Sequence, residues 1–261
     1  MRTLVAPLLL VLIVCASALS QNTASAEEMR RFQVGDPAVD GTFLKPYKNA
    51  WKVVYAFPGK DPFLVGMWSD ELKDVSVGGR KLLKRTQTAD YAKYGLMTTY
   101  VNVFDSKTMA PVSQEFKRSD TGETARRDFD GSTVRYSRKT TEQAATETGE
   151  LKLQNPIFDY NGGMFGVLLA TLPLQEGLKG TLPALSEDRD ELEWVSFSVG
   201  KQELVDAGPG KQVMAWPVDT VANYANQSHS IFWVTKDAPY VIKLVTVIPG
   251  AKWVIVTLSM I

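Results

Sequence analysis

The chain has 261 residues, with 29 Lys plus Arg against 29 Asp plus Glu and one histidine. This balance creates no long-range field that favours nucleic acid or anionic lipid. A single histidine, His229, and a single cysteine, Cys15, exclude a histidine cluster for zinc or iron, and a thiolate metal site or intrachain disulfide.

The first element is an apolar run from Leu8 to Cys15, preceded by Arg2 and followed by small residues. This is the pattern of a secretory signal peptide, cleaved after Ala26 or after Ser20. The run is shorter than the roughly 20 residues needed to span a bilayer. "LIVC" has the leucine of a lipobox, but Val14 stands where a small residue belongs, which disfavours lipidation of Cys15. The expectation is a leader over 1–26, a periplasmic mature chain without a transmembrane segment, and one β domain over 27–261.

From Trp51 onward, short runs rich in Val, Tyr, Phe, Trp and Thr alternate with turn residues, as in an all-β domain. "WKVVYAF" is closed by "PGKDP", and "FLVGMWSDELKDVSV" meets "RKLLKRTQT" across Gly78-Gly79, a hairpin signal. The basic run Arg80–Arg85 reads as the protection of an edge strand, because Lys and Arg discourage strand-to-strand association. "LMTTYVNVF", "VSQEFKR" and "ETARRDFDGSTVRYSR" continue the pattern, with a two-residue turn predicted at Asp130-Gly131. The polar stretch Thr140–Glu150 reads as a loop, and Ser186–Glu191 as a charged turn.

The stretch Asn155–Gly177 is different, because Gly162, Gly163 and Gly166 lead into an apolar segment ended near Pro173. It lacks the lysine and hydroxyl of a phosphate loop, and eleven residues cannot cross a membrane. The spacing predicts a short helix capped by Asp159 or Asn161, with Phe165, Leu168, Leu169 and Leu172 on one side and Val167 and Ala170 on the other. A helix apolar all round must be enclosed by protein or by ligand.

Downstream, "ELEWVSFSVGKQELV" sets Leu192 and Trp194 against Val195, Phe197 and Val199, which suggests a β-bulge between Trp194 and Val195. "SIFWVTK", "YVIKLVTVI" and "KWVIVTLSMI" are apolar on both faces, as strands covered on both sides are. No catalytic constellation stands out. His229 reads as a solvated turn residue, and the Glu191 and Glu193 pair, on one strand face, belongs to a charged run.

The run "SIFWVTKDAPYVIKLVTV", through Trp233, Val234, Thr235, Asp237, Pro239, Tyr240, Val241 and Lys243, resembles a hairpin of bacterial exported proteins whose domain is of unknown function. "VGKQELVDAGPGKQVMAWPV", with Trp216, and "APVSQEFKRSDTGETARRDFDGSTVRYSR" resemble earlier strands of that group. These proteins are similar in fold to LolA-type lipoprotein carriers. The resemblance implies a mainly β fold, a strongly curved antiparallel half-barrel sheet closed by a short buried helix, and it transfers no catalytic residue.

The function expected is non-enzymatic: binding of a lipid, an acyl group or another apolar ligand, or of an envelope protein partner. The candidate ligand-binding residues are Phe165, Leu168, Leu169, Leu172, Trp194, Trp216 and Trp233. Neither a metal nor a cofactor is called for. The alternatives are an envelope hydrolase using carboxylates such as Asp159 or Glu193, and a structural envelope protein without a ligand.

Overall fold

A computed structural model describes residues 29–158, 164–186, 190–221, 229–248 and 254–260. Within them the chain is mainly β, with one α-helix, α1 (Met164–Thr171). The strands are β1 (Arg30–Arg31), β2 (Tyr47–Ala56), β3 (Phe63–Val77), β4 (Arg80–Tyr91), β5 (Leu96–Asp105), β6 (Pro111–Arg118), β7 (Thr124–Asp130) and β8 (Thr133–Lys139). After them come β9 (Glu147–Lys152), β10 (Lys179–Ser186), β11 (Glu191–Val199), β12 (Glu203–Asp206), β13 (Gln212–Val221), β14 (His229–Val234), β15 (Val241–Ile248) and β16 (Val254–Met260).

All belong to one sheet, ordered β1-β10-β11-β13-β14-β15-β16-β2-β3-β4-β5-β6-β7-β8-β9, with β12 paired to β13. The two-residue β1 is parallel to β10, and the other pairs are antiparallel. Consecutive hairpins generate β2 to β9 and most of β10 to β16. The two series are joined where β16 pairs with β2, for example Thr257 opposite Val54. The terminal strands β1 and β9 are not paired with each other, so the sheet is not closed.

Turn chemistry fixes the register. Val77 faces Arg80 across Gly78 and Gly79, whose φ values of 59° and 79° suit the two-residue turn that matches strand twist. The predicted turn at Asp130-Gly131 lies one residue further on: Asp130 is already paired with Thr133, and Gly131 (φ 59°) and Ser132 make the turn.

The main core lies between α1 and one face of the sheet. Phe165, Leu168, Leu169 and Leu172 share a single buried cluster with Val195 and Phe197 of β11, Val218 of β13, Phe232 of β14, and Trp51, Leu72, Leu83 and Phe104 of β2 to β5. Gly166 permits the close approach of α1: a Cβ there would lie 2.5 Å from Val241 Cγ2 and 3.0 Å from Phe232 Cδ1.

Beside this apolar core runs a buried polar row. Arg85, Asn102, Gln114, Arg127 and Tyr136 stand opposite one another on β4 to β8. The first three are buried, and Arg127 donates to Gln114 Oε1 at 2.7 Å. Arg85 makes a bidentate pair with Asp70, Nε to Oδ1 at 2.8 Å and Nη2 to Oδ2 at 2.6 Å, and the Tyr47 hydroxyl donates to Asp70 at 2.9 Å.

Three expectations need correction. The run Arg80–Arg85 begins β4, which lies inside the sheet between β3 and β5; its charges include a core ion pair instead of an edge guard. The latter part of the predicted loop Thr140–Glu150 is strand, because β9 starts at Glu147, where Glu147 and Glu150 meet Arg138 and Arg135 of β8. No bulge separates Trp194 from Val195: the register runs unbroken from Ser186 opposite Glu191 to Lys179 opposite Ser198. Simple alternation puts Leu192 and Trp194 on one face and Glu193, Val195 and Phe197 on the other. Glu193 takes a core-facing position that an apolar residue would ordinarily hold.

Candidate functional site

The seven residues expected to hold a ligand do not converge. Phe165, Leu168, Leu169 and Leu172 are together in the main core, with Trp216 partly buried against it. Protein encloses the first three, at 2%, 2% and 0% exposure, while Leu172 also borders an open cavity. Trp194 lies on the opposite face of β11, under the Arg31 guanidinium, 5.2 Å from its ring centroid. Trp233 belongs to a second small cluster with Val205, Ala207, Ala215 and Ile242, and its indole N–H donates to Glu203.

The cavity, of about 670 Å³, opens at the C-terminal end of α1. Three segments build it: residues 37–45 before β2, the end of α1 with Pro173, and the β14–β15 turn. Pro37, Ala38, Phe43, Leu172, Pro173, Ala238 and Tyr240 give it mostly apolar walls, and Asp40, Lys45, Thr171, Lys236 and Asp237 supply the polar groups.

Each wall is fixed locally. In the segment before β2, Asp36 accepts the Ala38 N–H, and Asp40 Oδ1 accepts both the N–H and the hydroxyl of Thr42, at 2.9 and 2.6 Å. The Asp40 N–H donates to Thr171 O at 3.2 Å, which ties this segment to the helix end. In the β14–β15 turn, the Thr235 N–H donates to Tyr240 O and the Tyr240 N–H to Asp237 O, at 2.8 and 2.9 Å. Tyr240 is held there at a φ of 71°, which an L side chain rarely adopts. Surrounding contacts hold it in place: its ring is buried edge-on to Phe43 and Tyr47, and its hydroxyl accepts the Lys45 N–H.

Electrostatics centre on Lys236. A helix leaves its last carbonyls without intrahelical partners, and its C-terminus carries partial negative charge. The Lys236 ammonium donates to both Ala170 O and Leu172 O at 2.6 Å, capping α1 from the neighbouring turn. It also lies 5.2 Å from the centroid of the Phe43 ring. Burial pushes the ammonium below the ordinary lysine range, with Asp40 pulling weakly the other way. Asp40 itself is held below the usual carboxylate value, chiefly by the Thr42 hydroxyl.

The remaining candidates offer less. His229 opens β14 half-exposed, and its Nε2 pairs with Asp219 on the neighbouring strand, outside any described cavity. Glu193 is 4% exposed on the core side of β11, and Asp159 lies outside the described residues. Among the described residues, no group of three or more His, Cys, Asp or Glu is placed to hold a metal, and no helix is long and apolar enough to cross a membrane.

Sequence reasoning found one end of α1 but missed the cavity. Residues 37–45 have no periodicity to mark them, and Lys236 sits in a turn where a lysine ordinarily signals solvation. The signal within reach was the hairpin Trp233–Lys243, which includes Lys236, Asp237 and Tyr240.

Comparison with known proteins bears on fold and family. A solved β-barrel-like protein of Brucella abortus, from the domain of unknown function DUF1849, superposes with a TM-score of 0.53 at 13% identity, covering 84% of this chain and 98% of that one. At that identity the likeness establishes fold alone. No functionally curated protein matches the chain. The model of the family described as protein of unknown function, DUF3108, matches residues 75–256, more than half of the chain. The chain therefore belongs to DUF3108, an uncharacterised family of the kind its C-terminal hairpins resemble.

Proposed function

We propose that this chain is a non-enzymatic β-protein of the bacterial envelope that binds an apolar or amphipathic small molecule, such as a lipid or acyl group, at the C-terminal end of α1. In this reading residues 1–26 direct export to the periplasm, and 27–261 form one domain whose sheet curves around α1 as a LolA-like half-barrel. Support for the curvature comes from the main core, in which residues of β2 to β5 and of β11 to β15 belong to the same buried cluster as α1.

The observation that carries the binding assignment is the open, mostly apolar cavity of about 670 Å³, within the size range of small-molecule sites. A few polar groups among apolar walls fix orientation in such sites. Covering six methylenes there would contribute roughly 5 kcal/mol before the cost of immobilisation.

Native mass spectrometry of gently purified protein should show a bound species of lipid mass, and the emptied protein should take up a fluorescent fatty acid. Ala38→Trp, which fills one wall, should weaken that uptake by about tenfold or more, the equivalent of about 1.4 kcal/mol. A protein that carries nothing and takes up no fatty acid would overturn the proposal.

A further inference from the structure

The charge layout of the cavity narrows the class of ligand, on the premise that the cavity binds a small molecule at all. Four charged groups border it: Asp40, Lys45, Lys236 and Asp237. All four belong to exposed residues, where water and salt screen their charges, and Asp40 is already engaged by Thr42. Lys236 differs in that the protein fixes its head. Its stem lies along the wall, and its ammonium is drawn in against the carbonyls of Ala170 and Leu172.

An ammonium has three N–H donors, of which these carbonyls take two. Among the described residues no carboxylate forms an ion pair with Lys236, and Asp40 acts on it only through its field, so the ammonium has no counter-charge in direct contact. An oxyanion at the third donor would supply that counter-charge through a charge-assisted bond. Phe43, Ala38 and Pro173 would then flank an apolar body attached to it.

We infer that the cavity takes an anionic amphiphile, a carboxylate or phosphate head on an apolar chain, with Lys236 as the head-group ligand. A neutral or cationic head on the same chain lacks that bond and is disfavoured.

The test compares heads on one chain length by calorimetric titration of the purified protein with decanoate, decyl phosphate, decanol and decyltrimethylammonium. Decanoate, decyl phosphate or both should bind at least tenfold more tightly than decanol, and decyltrimethylammonium should be weakest. Which anion gains more tells carboxylate from phosphate. Lys236→Gln should remove the anion preference while leaving decanol affinity within about twofold, and Lys236→Arg should restore it. Because Lys236 also caps α1, the comparison on the unaltered protein decides the matter should the variants fail to fold. Decanol binding as tightly as the anions, or a preference that survives Lys236→Gln, would overturn this inference and leave the cavity assignment standing. Binding of none of the four would overturn both.

Discussion

Replacing Arg85 by methionine probes the polar side of the core. Arg85 and Asp70 are both 0% exposed and are joined by two bonds of 2.8 and 2.6 Å. Burial alone would favour loss of the arginine proton, but Asp70 and Tyr47 outweigh it and raise the pKa, so the guanidinium is charged at every ordinary pH. Arg85→Met keeps much of the volume but leaves the Asp70 carboxylate in the interior without its cation, with the Tyr47 hydroxyl still donating to it. Removing one member of a buried pair typically costs about 3–5 kcal/mol. For a chain of this size, each kcal/mol shifts Tm by roughly 2–4 °C, so Arg85→Met should lower it by about 6–20 °C. Urea unfolding followed by circular dichroism measures the free energy, and calorimetry measures the Tm. Adding Asp70→Leu should recover most of the loss, since the pair's attraction chiefly offsets its own desolvation. A loss below about 1 kcal/mol for Arg85→Met, or a double variant worse than the two single losses combined, would refute the reasoning.

Two further outcomes follow from local geometry. Gly166→Ala should destabilise by about 1–3 kcal/mol in urea unfolding, because its Cβ would meet Val241 and Phe232 in a packed core. Asp105→Ala should cost about 1–3 kcal/mol at neutral pH through loss of the bonds from Lys107 N–H, Thr108 N–H and the Thr108 hydroxyl. Burial would raise the Asp105 carboxyl, but these bonds and Arg80 hold it below its ordinary value. Its contribution is therefore complete above the unfolded-state value and lost as pH falls through the lower folded one, so the gap between Asp105→Ala and the unaltered protein should close below about pH 4.

What was legible in the sequence was local. The apolar alternation, Gly78-Gly79 and the eleven-residue apolar segment after the glycines set strands, a hairpin and α1 close to where they lie. What was illegible depends on contacts far apart in sequence. "RKLLKR" looks solvated until β3 places Asp70 beside Arg85 across a hairpin. Glu193 looks like part of a charged run because nothing local says that Val195 on the same face is core. The joining of β16 to β2 brings together segments some two hundred residues apart, and no turn signal can announce it.

A helix apolar on every side raises the issue of what surrounds its side chains. For α1 the main core provides the answer, since Phe165, Leu168 and Leu169 are enclosed by the sheet and residues packed with it. The backbone poses a separate demand, because carbonyls at a helix end need donors that apolar neighbours cannot provide. Lys236 and the Asp40 N–H meet that demand from two other segments, and in doing so bring a cation and a carboxylate to the edge of an apolar cavity. Side-chain packing of α1 is thus a matter of stability, whereas the capping of its last turn places polar chemistry next to space large enough for a ligand. If this chain binds a small molecule through α1, the end of the helix, with Leu172 and Lys236, is better placed to do so than the leucine-lined middle.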